Sequence, residues 1–285
     1  MVMQNFWFTY QNILKREILK KNYFSFFRKI FGSLYKFIIK FFRQIFSINC
    51  INLDKIDKEE LFKSNLDDLF INFNCDKGTH FYYQKEKILS HNYSIYYEKY
   101  LKDLKEKKIN FLELGSHEGK SLASFYFYFP KAKLIGANIN PFQMRYRSKR
   151  ITELFVDVSS KEILKSLSDY LGDELDIIVD DASHNLRDII IAFSIFFKNL
   201  KKGGIYIIED INQFEVFKEL NPYINEITPL EILQKIQRKE IFKSSFLDEE
   251  TKKYLIDNIS DIKIEKGSMI IKEKNISDIV FIFKK

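Results

Sequence analysis

Apolar residues from position 109 onwards form short continuous runs, and longer stretches with helical periodicity separate these runs. A run without polar alternation indicates a strand that is buried on both faces. Such strands, separated by helices, predict a mostly parallel sheet covered on both sides, which is a doubly wound α/β fold. The predicted order is INFLELG, a helix over 120–129, KLIGANI, a helix over 142–150, ELFVDV, a helix over 161–171, LDIIVDD, a helix over 186–200 and GIYIIED.

The regions on either side of these alternating runs have other patterns. Residues 51–108 are polar with helical periodicity, and a second helical region covers 214–258. The last run, IKIEKGSMIIKEKNISDIVFIF, predicts an antiparallel hairpin at the edge of the sheet. We therefore divide the chain into a basic, aromatic, helical extension at 1–50, a helical cap at 51–108 and the α/β domain at 109–285.

The composition indicates a large core and limits the class of partner. Of the 285 residues, 46% are apolar and 16% aromatic, which argues against a disordered or fibrous chain. The net charge of +7 would suit an anionic partner, but residues 1–50 alone carry +8 and the others together −1. This distribution argues against a nucleic-acid partner. Cys50 and Cys75 are too few for a disulfide framework, so we expect a cytoplasmic protein.

Residues 23–47 predict an amphipathic helix whose polar side is narrow and basic. This helix could lie on an anionic membrane, at its inner face, or it could pack on the main domain or on a second subunit. The sequence leaves these alternatives open. Charged residues interrupt the best apolar stretch, so we do not expect a membrane-spanning helix. The polar side consists of Arg28, Gly32, Lys36, Lys40, Arg43 and Ser47.

Ligands of a doubly wound sheet bind beyond the carboxyl ends of its strands. After the first strand, ELGSHEGKS contains Gly115 and Gly119, where the backbone can approach a ligand and a helix begins. Its spacing does not match GxGxxG and lacks the GxxxxGK of a P-loop. The second and third strands end at Asn138, Asn140 and Asp157, which can bind ribose hydroxyls and an adenine amine. These strand ends are therefore a candidate cofactor site.

Acidic residues follow the two remaining strands of the parallel set. Asp180 and Asp181 follow LDIIV, and Glu209 and Asp210 follow GIYII. If these strands are neighbours, the last three acids can converge as the hard oxygen ligands that Mg²⁺ prefers. The alternative is that some of them cap the following helices. His184 follows Asp181 by three residues, where it can accept a proton from a substrate hydroxyl.

Five segments in this order resemble the motifs of a known family. They are ELGSHEGKS, GANINP, VDVSS, DIIVDDASHN and LKKGGIYIIEDI, within residues 75–212. They resemble the class I S-adenosylmethionine-dependent methyltransferases, and in particular the metal-dependent sugar O-methyltransferases of the macrolide-tailoring type and their relatives in bacterial polysaccharide clusters. The resemblance implies a Rossmann-like fold, with S-adenosylmethionine and Mg²⁺ as cofactors.

The resemblance also implies roles for individual residues. Asp157 would face adenine, and the loop from Glu113 to Gly119 would hold the methionine part. Asn138 departs from the family, which usually has an acidic residue at the ribose; an amide can make the same bonds with less charge assistance. The implied cofactor set is Glu113, Gly115, Ser116, Gly119, Ser121, Asn138, Asp157 and Asp180, the implied metal set is Asp181, Glu209 and Asp210, and His184 and Asp181 are the implied catalytic pair.

The segment that begins with DKGTH at Asp76 resembles the family's element that closes the active site. His80, His91 and Tyr93 could bind sugar hydroxyls, and Lys77 could bind a phosphate or carboxylate. The alternative is ordinary helix capping with aromatic packing.

We therefore expect an S-adenosylmethionine-dependent, Mg²⁺-assisted O-methyltransferase that acts on a hydroxyl of a sugar or sugar nucleotide. The expected setting is bacterial capsule or surface-polysaccharide biosynthesis. Two alternatives remain: an N-methyltransferase or a catechol-type small-molecule O-methyltransferase, and a non-catalytic scaffold that binds a membrane or a partner.

Overall fold

A seven-stranded sheet forms the centre of the protein in the computed structural model, which describes residues 2–20, 50–56, 59–223, 225–271 and 273–285. The strands are β1 (Asn110–Leu114), β2 (Lys133–Asn138), β3 (Ile151–Phe155), β4 (Leu175–Asp180), β5 (Leu200–Ile208), β6 (Ile259–Lys266) and β7 (Asp278–Lys284). Their spatial order is β3-β2-β1-β4-β5-β7-β6, where β1 to β5 pair in parallel and β7 is antiparallel to both of its neighbours. The doubly wound sheet and the C-terminal antiparallel pair are thus confirmed.

Helices cover both faces of the sheet, and the alternation along β1 explains how. Leu112 and Leu114 belong to an apolar cluster that the helices between residues 161 and 258 cover, whereas Phe111 belongs to a second cluster under the helices between residues 66 and 128. Both clusters are buried, so the sheet is sandwiched as its apolar strands predict. The helices are α1 (Val2–Leu19), α2 (Glu59–Lys63), α3 (Leu66–Asn72), α4 (Ser94–Leu101), α5 (Lys120–Tyr128), α6 (Lys161–Leu171), α7 (Leu186–Phe196), α8 (Pro229–Gln237) and α9 (Glu249–Asn258).

The helix predicted at 142–150 is wrong. A single 3₁₀ turn at Pro141–Gln143 is followed by the short strand Tyr146–Arg147, which pairs in parallel with Ile51–Asn52. Tertiary contacts override the helical pattern here, since Arg145 donates its backbone N–H to Glu118 and forms an ion pair with it at 2.6 Å.

The cap at 51–108 is not helical throughout. A hairpin joins His80–Tyr83 to Glu86–Leu89 through a two-residue turn, in which Gln84 and Lys85 both have positive φ. The region 214–258 is likewise only partly helical, because loops and 3₁₀ turns separate and precede α8 and α9.

The described part of the N-terminal extension packs on its own domain. Helix α1 covers the edge strand β3, where Thr9 Oγ1 accepts a hydrogen bond from the backbone N–H of Phe155 at 3.2 Å. Phe8 stacks on Tyr170 of α6 with ring centroids 4.2 Å apart. The amphipathic helix predicted at 23–47 lies outside the described residues. Among the helices that the structure describes, none is long and apolar enough to cross a membrane.

Gly115 fixes the distance between the ends of β1 and β4. Its φ is +91°, and a Cβ atom added here would lie 1.9 Å from the backbone oxygen of Asp181. The two backbone segments cannot move apart freely, because the N–H of Asp181 donates a hydrogen bond to the carbonyl oxygen of Leu114 at 3.0 Å. The loop after β1 can therefore lie this close to Asp181, the first acid after β4, only because residue 115 has no side chain.

We expect Gly115→Ala to lower the free energy of unfolding by more than about 3 kcal/mol, because left-handed backbone strain adds to a backbone collision. Gly203→Ala is the matched control, since Gly203 has φ +74° and open space around its Cβ position. It should cost only about 1–2 kcal/mol. Urea unfolding of both variants measures the difference, and equal losses would show that the close approach is unimportant.

Candidate active site at the carboxyl ends of the strands

A cavity of about 630 Å³ opens beyond the carboxyl ends of the parallel strands. This is the position that the doubly wound fold predicts for a ligand. Seven residues of the implied cofactor, metal and substrate sets line it: Lys77, Gly115, Ser116, Ser121, Asn138, Asp157 and Asp181. Asp188, Ser159 and Phe81 also line it, although none of them belongs to the sets that the resemblance implies.

The loop after β1 forms one end of the cavity. Ser116 Oγ is buried there and has no hydrogen-bond partner among the residues that the structure describes, so the loop offers a polar atom to a ligand. Below the loop, Glu113 is buried and accepts hydrogen bonds from Ser121 Oγ at 2.6 and 2.7 Å. Burial raises the pKa of Glu113 to about 7, although Lys77 and Ser121 oppose the shift. Glu113 therefore supports the loop from beneath.

Asn138 and Asp157 lie at the other end, after β2 and β3. Asn138 Oδ1 accepts a hydrogen bond from the N–H of Ile139 at 2.9 Å, and its Nδ2 lies 3.3 Å from the backbone oxygen of Asn140. Asp157 Oδ1 accepts hydrogen bonds from the hydroxyl of Ser159 at 2.5 Å and from its N–H at 3.2 Å. These bonds fix both side chains at the cavity wall.

Helix α1 contributes charge to this end of the cavity. Lys20 Nζ lies 3.4 Å and Arg16 Nη1 3.7 Å from Asp157 Oδ2. The carboxylate that the sequence assigned to adenine therefore also pairs with cations from the N-terminal extension. Sequence spacing carried no signal for this contact, because Lys20 and Asp157 are 137 positions apart.

The acids after β4 and β5 do meet, because these strands are neighbours in the sheet. One ligand atom each from Asp181, His184 and Asp210 lie within 4.8 Å of one another. His184 Nε2 is 3.6 Å from Asp181 Oδ1. His184 and Asp210 both have φ of 52°, a backbone conformation that non-glycine residues rarely adopt and that clusters at functional sites.

His91 and Tyr93 contact Asp210 from the cap. The hydroxyl of Tyr93 donates to Asp210 Oδ1 at 2.5 Å, and His91 Nδ1 lies 3.2 Å from the same oxygen. Burial raises the pKa of Asp210, but its interactions with His91, His184 and Tyr93 outweigh burial and hold the pKa below its usual value. Asp210 is therefore a stable carboxylate. These contacts differ from the sugar-binding role expected for His91 and Tyr93.

Glu209, which the resemblance implies as a metal ligand with Asp181 and Asp210, contacts other side chains in the structure. Its carboxylate accepts hydrogen bonds from the ammonium of Lys77 and the hydroxyl of Tyr97, and it is buried. Burial raises the pKa of Glu209 well above its usual value, against the charge of Lys77. The structure thus groups Asp181 and Asp210 with His184, and it places Glu209 on Lys77.

Lys77, His80 and Asp180 lie differently from their expected roles. Lys77 is buried with its ammonium among acids, which leaves it no free phosphate-binding position. His80 contacts Thr79 Oγ1 at 3.2 Å and does not line the cavity. Asp180 is buried and does not line the cavity, and its carboxylate accepts a hydrogen bond from the hydroxyl of Tyr206 at 3.1 Å.

Comparisons with known proteins find partial relatives, and no protein-family model matches the chain. Over 128 residues, 42% of the chain, it is 30% identical to 8-demethyl-8-alpha-L-rhamnosyl tetracenomycin-C 2'-O-methyltransferase of Streptomyces olivaceus. Over the same length it is 27% identical to L-olivosyl-oleandolide 3-O-methyltransferase of Streptomyces antibioticus and to mycinamicin VI 2''-O-methyltransferase of Micromonospora griseorubida. The match spans about a third of the length of each of these enzymes.

Solved structures establish the fold. The MycE methyltransferase of the mycinamycin biosynthetic pathway, in complex with Mg, SAH and mycinamycin VI, superposes with a TM-score of 0.56 at 19% identity. The superposition covers 78% of this chain and 54% of that one. The fold is thus the Rossmann-like fold of class I methyltransferases, and the resemblance to sugar O-methyltransferases that the five motifs indicated is confirmed.

The buried Asp180 predicts a pH dependence of stability. Burial raises its pKa to about 7, so between about pH 4 and 7 the folded chain holds a proton that the unfolded chain has released. Stability from this group therefore falls as pH rises through that window. In the presence of a chelator, Asp180→Asn should make the slope of unfolding free energy against pH less negative, by up to about 1.4 kcal/mol per pH unit. Urea unfolding from pH 4.5 to 8 measures this.

The exposed acid Asp169 of α6 provides the control for that series. Asp169→Asn should leave the slope of the wild-type protein in place. If Asp180→Asn behaves like this control, Asp180 does not hold a proton in the folded state.

Proposed function

We propose that this chain is an S-adenosylmethionine-dependent O-methyltransferase that methylates a sugar hydroxyl with the assistance of Mg²⁺. The observation that carries the proposal is the meeting of His184, Asp181 and Asp210 beside the cavity at the strand ends. A proton acceptor and a pair of carboxylates next to a cofactor-sized cavity suit the deprotonation and alkylation of a hydroxyl.

The cavity suits S-adenosylmethionine along its whole length. The unpartnered Ser116 Oγ and the loop after β1 would hold the methionine part, Asn138 the ribose and Asp157 the adenine amine. The similar MycE methyltransferase structures are complexes with Mg and SAH, the product that this cofactor leaves. The cofactor would supply the electrophilic methyl group.

The chemistry of the donor set also suits a divalent cation. Asp181 and Asp210 offer carboxylate oxygens within one small volume, and His184 lies beside them, where its ring nitrogen stays available to the acceptor hydroxyl. When bound, the ion would lower the pKa of the acceptor hydroxyl. Tyr93 and His91 hold Asp210 in its ionised form and orient it, which prepares this place in the site before any ligand binds.

His184 is the candidate proton acceptor. Its Nε2 lies 3.6 Å from Asp181 Oδ1, so the carboxylate would stabilise the imidazolium that forms when the acceptor hydroxyl loses its proton. The oxygen would then attack the methyl carbon of the sulfonium, and sulfur would leave with the electron pair of the broken C–S bond. Positioning of the two reactants would supply much of the remaining rate enhancement.

The names of the relatives favour a sugar within a glycoside as the acceptor. The names of the three relatives described above each give a numbered oxygen as the methylated position, and two of the names state a sugar residue of the substrate, rhamnosyl or olivosyl. They give no support for surface-polysaccharide biosynthesis or for a sugar nucleotide, so the proposal is restricted to a sugar hydroxyl. Acceptor profiling with glycosides, catechols and amines separates it from the N-methyltransferase and catechol-type alternatives.

Calorimetric titration with S-adenosylmethionine tests the cofactor site. We expect micromolar binding by the wild-type chain and a loss of at least about tenfold in Asp157→Ala, since a hydrogen bond from adenine to a charged acceptor is worth about 1.5–3 kcal/mol. Asp169→Ala, which removes an exposed acid, should bind like the wild type. Absence of binding by the wild-type chain would favour the scaffold alternative.

His184→Gln tests the proton acceptor. We expect kcat for a glycoside acceptor to fall by about 10²–10⁴-fold, while the affinity for S-adenosylmethionine stays within about twofold, because the cavity wall is unchanged. Initial rates of S-adenosylhomocysteine formation, with Mg²⁺ and with a chelator, provide the measurement. Wild-type kcat in the variant would assign the proton to another group.

A further inference from the structure

Lys77 is a buried cation with three acidic neighbours. Its side chain is 3% exposed, and its ammonium lies 2.5 Å from Asp181 Oδ2 and 3.9 Å from Glu113 Oε1. It also donates a hydrogen bond to Glu209. A lone ammonium in such a place would be costly to bury, so its three acids stabilise it and it stabilises them.

The backbone holds Lys77 in this place. Its carbonyl oxygen accepts hydrogen bonds from the N–H of Tyr93 at 2.8 Å and of Ser94 at 3.1 Å, at the start of α4. On the other side of the turn, Asp67 accepts hydrogen bonds from the N–H of Thr79 at 2.8 Å and the hydroxyl of Ser94 at 2.8 Å. The ammonium is thus delivered by a fixed turn.

The contacts of Lys77 divide the acids into two groups. Asp181 has Oδ2 on Lys77 and Oδ1 towards His184. Glu209 uses Oε2 for Lys77 and Oε1 for Tyr97, so both of its oxygens have protein donors. Asp210 contacts His91 and Tyr93 instead of Lys77. One oxygen of Asp181 and the carboxylate of Asp210 therefore remain for a divalent ion, with His184 beside them.

We propose that Lys77 is the resident counter-cation of the acid cluster, and that it competes with the divalent ion for Asp181 and Glu209. The inference rests on the proposed function in one respect, the divalent ion at these acids. Lys77 is a positioning residue in this account: it keeps the carboxylates in place when no ion is bound, and it makes ion binding weaker than the acids alone would allow.

Binding of Mn²⁺, followed by its electron paramagnetic resonance signal without S-adenosylmethionine or acceptor, tests the competition. Lys77→Met removes the ammonium and should tighten Mn²⁺ binding at least tenfold. Lys77→Gln keeps an amide donor for the carboxylates and should change the affinity in the same direction. Lys120→Met is the matched control, since Lys120 also lines the cavity but pairs with Glu118 and not with the cluster. It should bind Mn²⁺ like the wild type.

Each outcome decides the inference. Tighter Mn²⁺ binding in either Lys77 variant supports it, as does a variant that folds only when Mg²⁺ is present, because the ion then replaces the ammonium. Folded variants with unchanged or weaker affinity overturn it, and so do variants that stay unfolded with and without the ion. If the wild-type chain binds no Mn²⁺ but Lys77→Met does, the competition is supported. If none of the chains binds Mn²⁺, the inference is overturned, and the metal part of the proposed function fails with it while the cofactor titration stands separately.

Discussion

The crowding of carboxylates at the ends of β4 and β5 is the constraint on which the rest of the site depends. Asp180, Glu209 and Asp210 are buried there, and Asp181 is nearby. A sheet core cannot neutralise such a group of charges by itself, because its side chains at this level are apolar. Tyr206 of β5 donates a hydrogen bond to Asp180, but the positive charge beside Asp181 and Glu209 comes from outside the sheet, from the turn that carries Lys77. The cap therefore docks by charge as well as by the aromatic packing of its apolar side.

This arrangement explains why the residues of the cap lie as they do. His91, Tyr93 and Tyr97 all direct a polar atom at an acid after β5, while their rings pack against neighbouring aromatic residues. The aromatic body is buried in the apolar layer, and the polar tip satisfies a carboxylate that has lost water. The same side chains thus join the cap to the sheet and fix the orientation of the acids.

The sequence predicts the sheet better than it predicts the partners of the site residues. Strands such as β4 are largely apolar runs, which are a local signal in the sequence. The meeting of the acids after β4 and β5 follows from the adjacency of these two strands. The segment from DKGTH onwards does lie at the site, but its side chains contact acids of the protein and not the expected ligand. Sequence spacing does not reveal such contacts, because residues such as Tyr93 and Asp210 are 117 positions apart. An excess of acids at a buried edge does indicate that a cation lies nearby, and Lys77 is a cation in the segment that the sequence places at the site. The wrong helix at 142–150 has the same origin, because contacts with Glu118 decided its structure.

Charge compensation from outside the α/β domain also occurs at the other end of the cavity. Asp157 pairs with Arg16 of α1 and with Lys20 directly after that helix, as Asp181 pairs with Lys77 of the cap. In both cases an acid at a strand end belongs to residues 109–285, and its cation comes from the N-terminal side of that boundary. The division of the chain into extension, cap and domain therefore describes sequence patterns, whereas ion pairs connect the three parts in the structure. A domain truncated at residue 109 would keep the acids and lose these cations, so its cavity would differ in charge from that of the whole chain even if the sheet still formed.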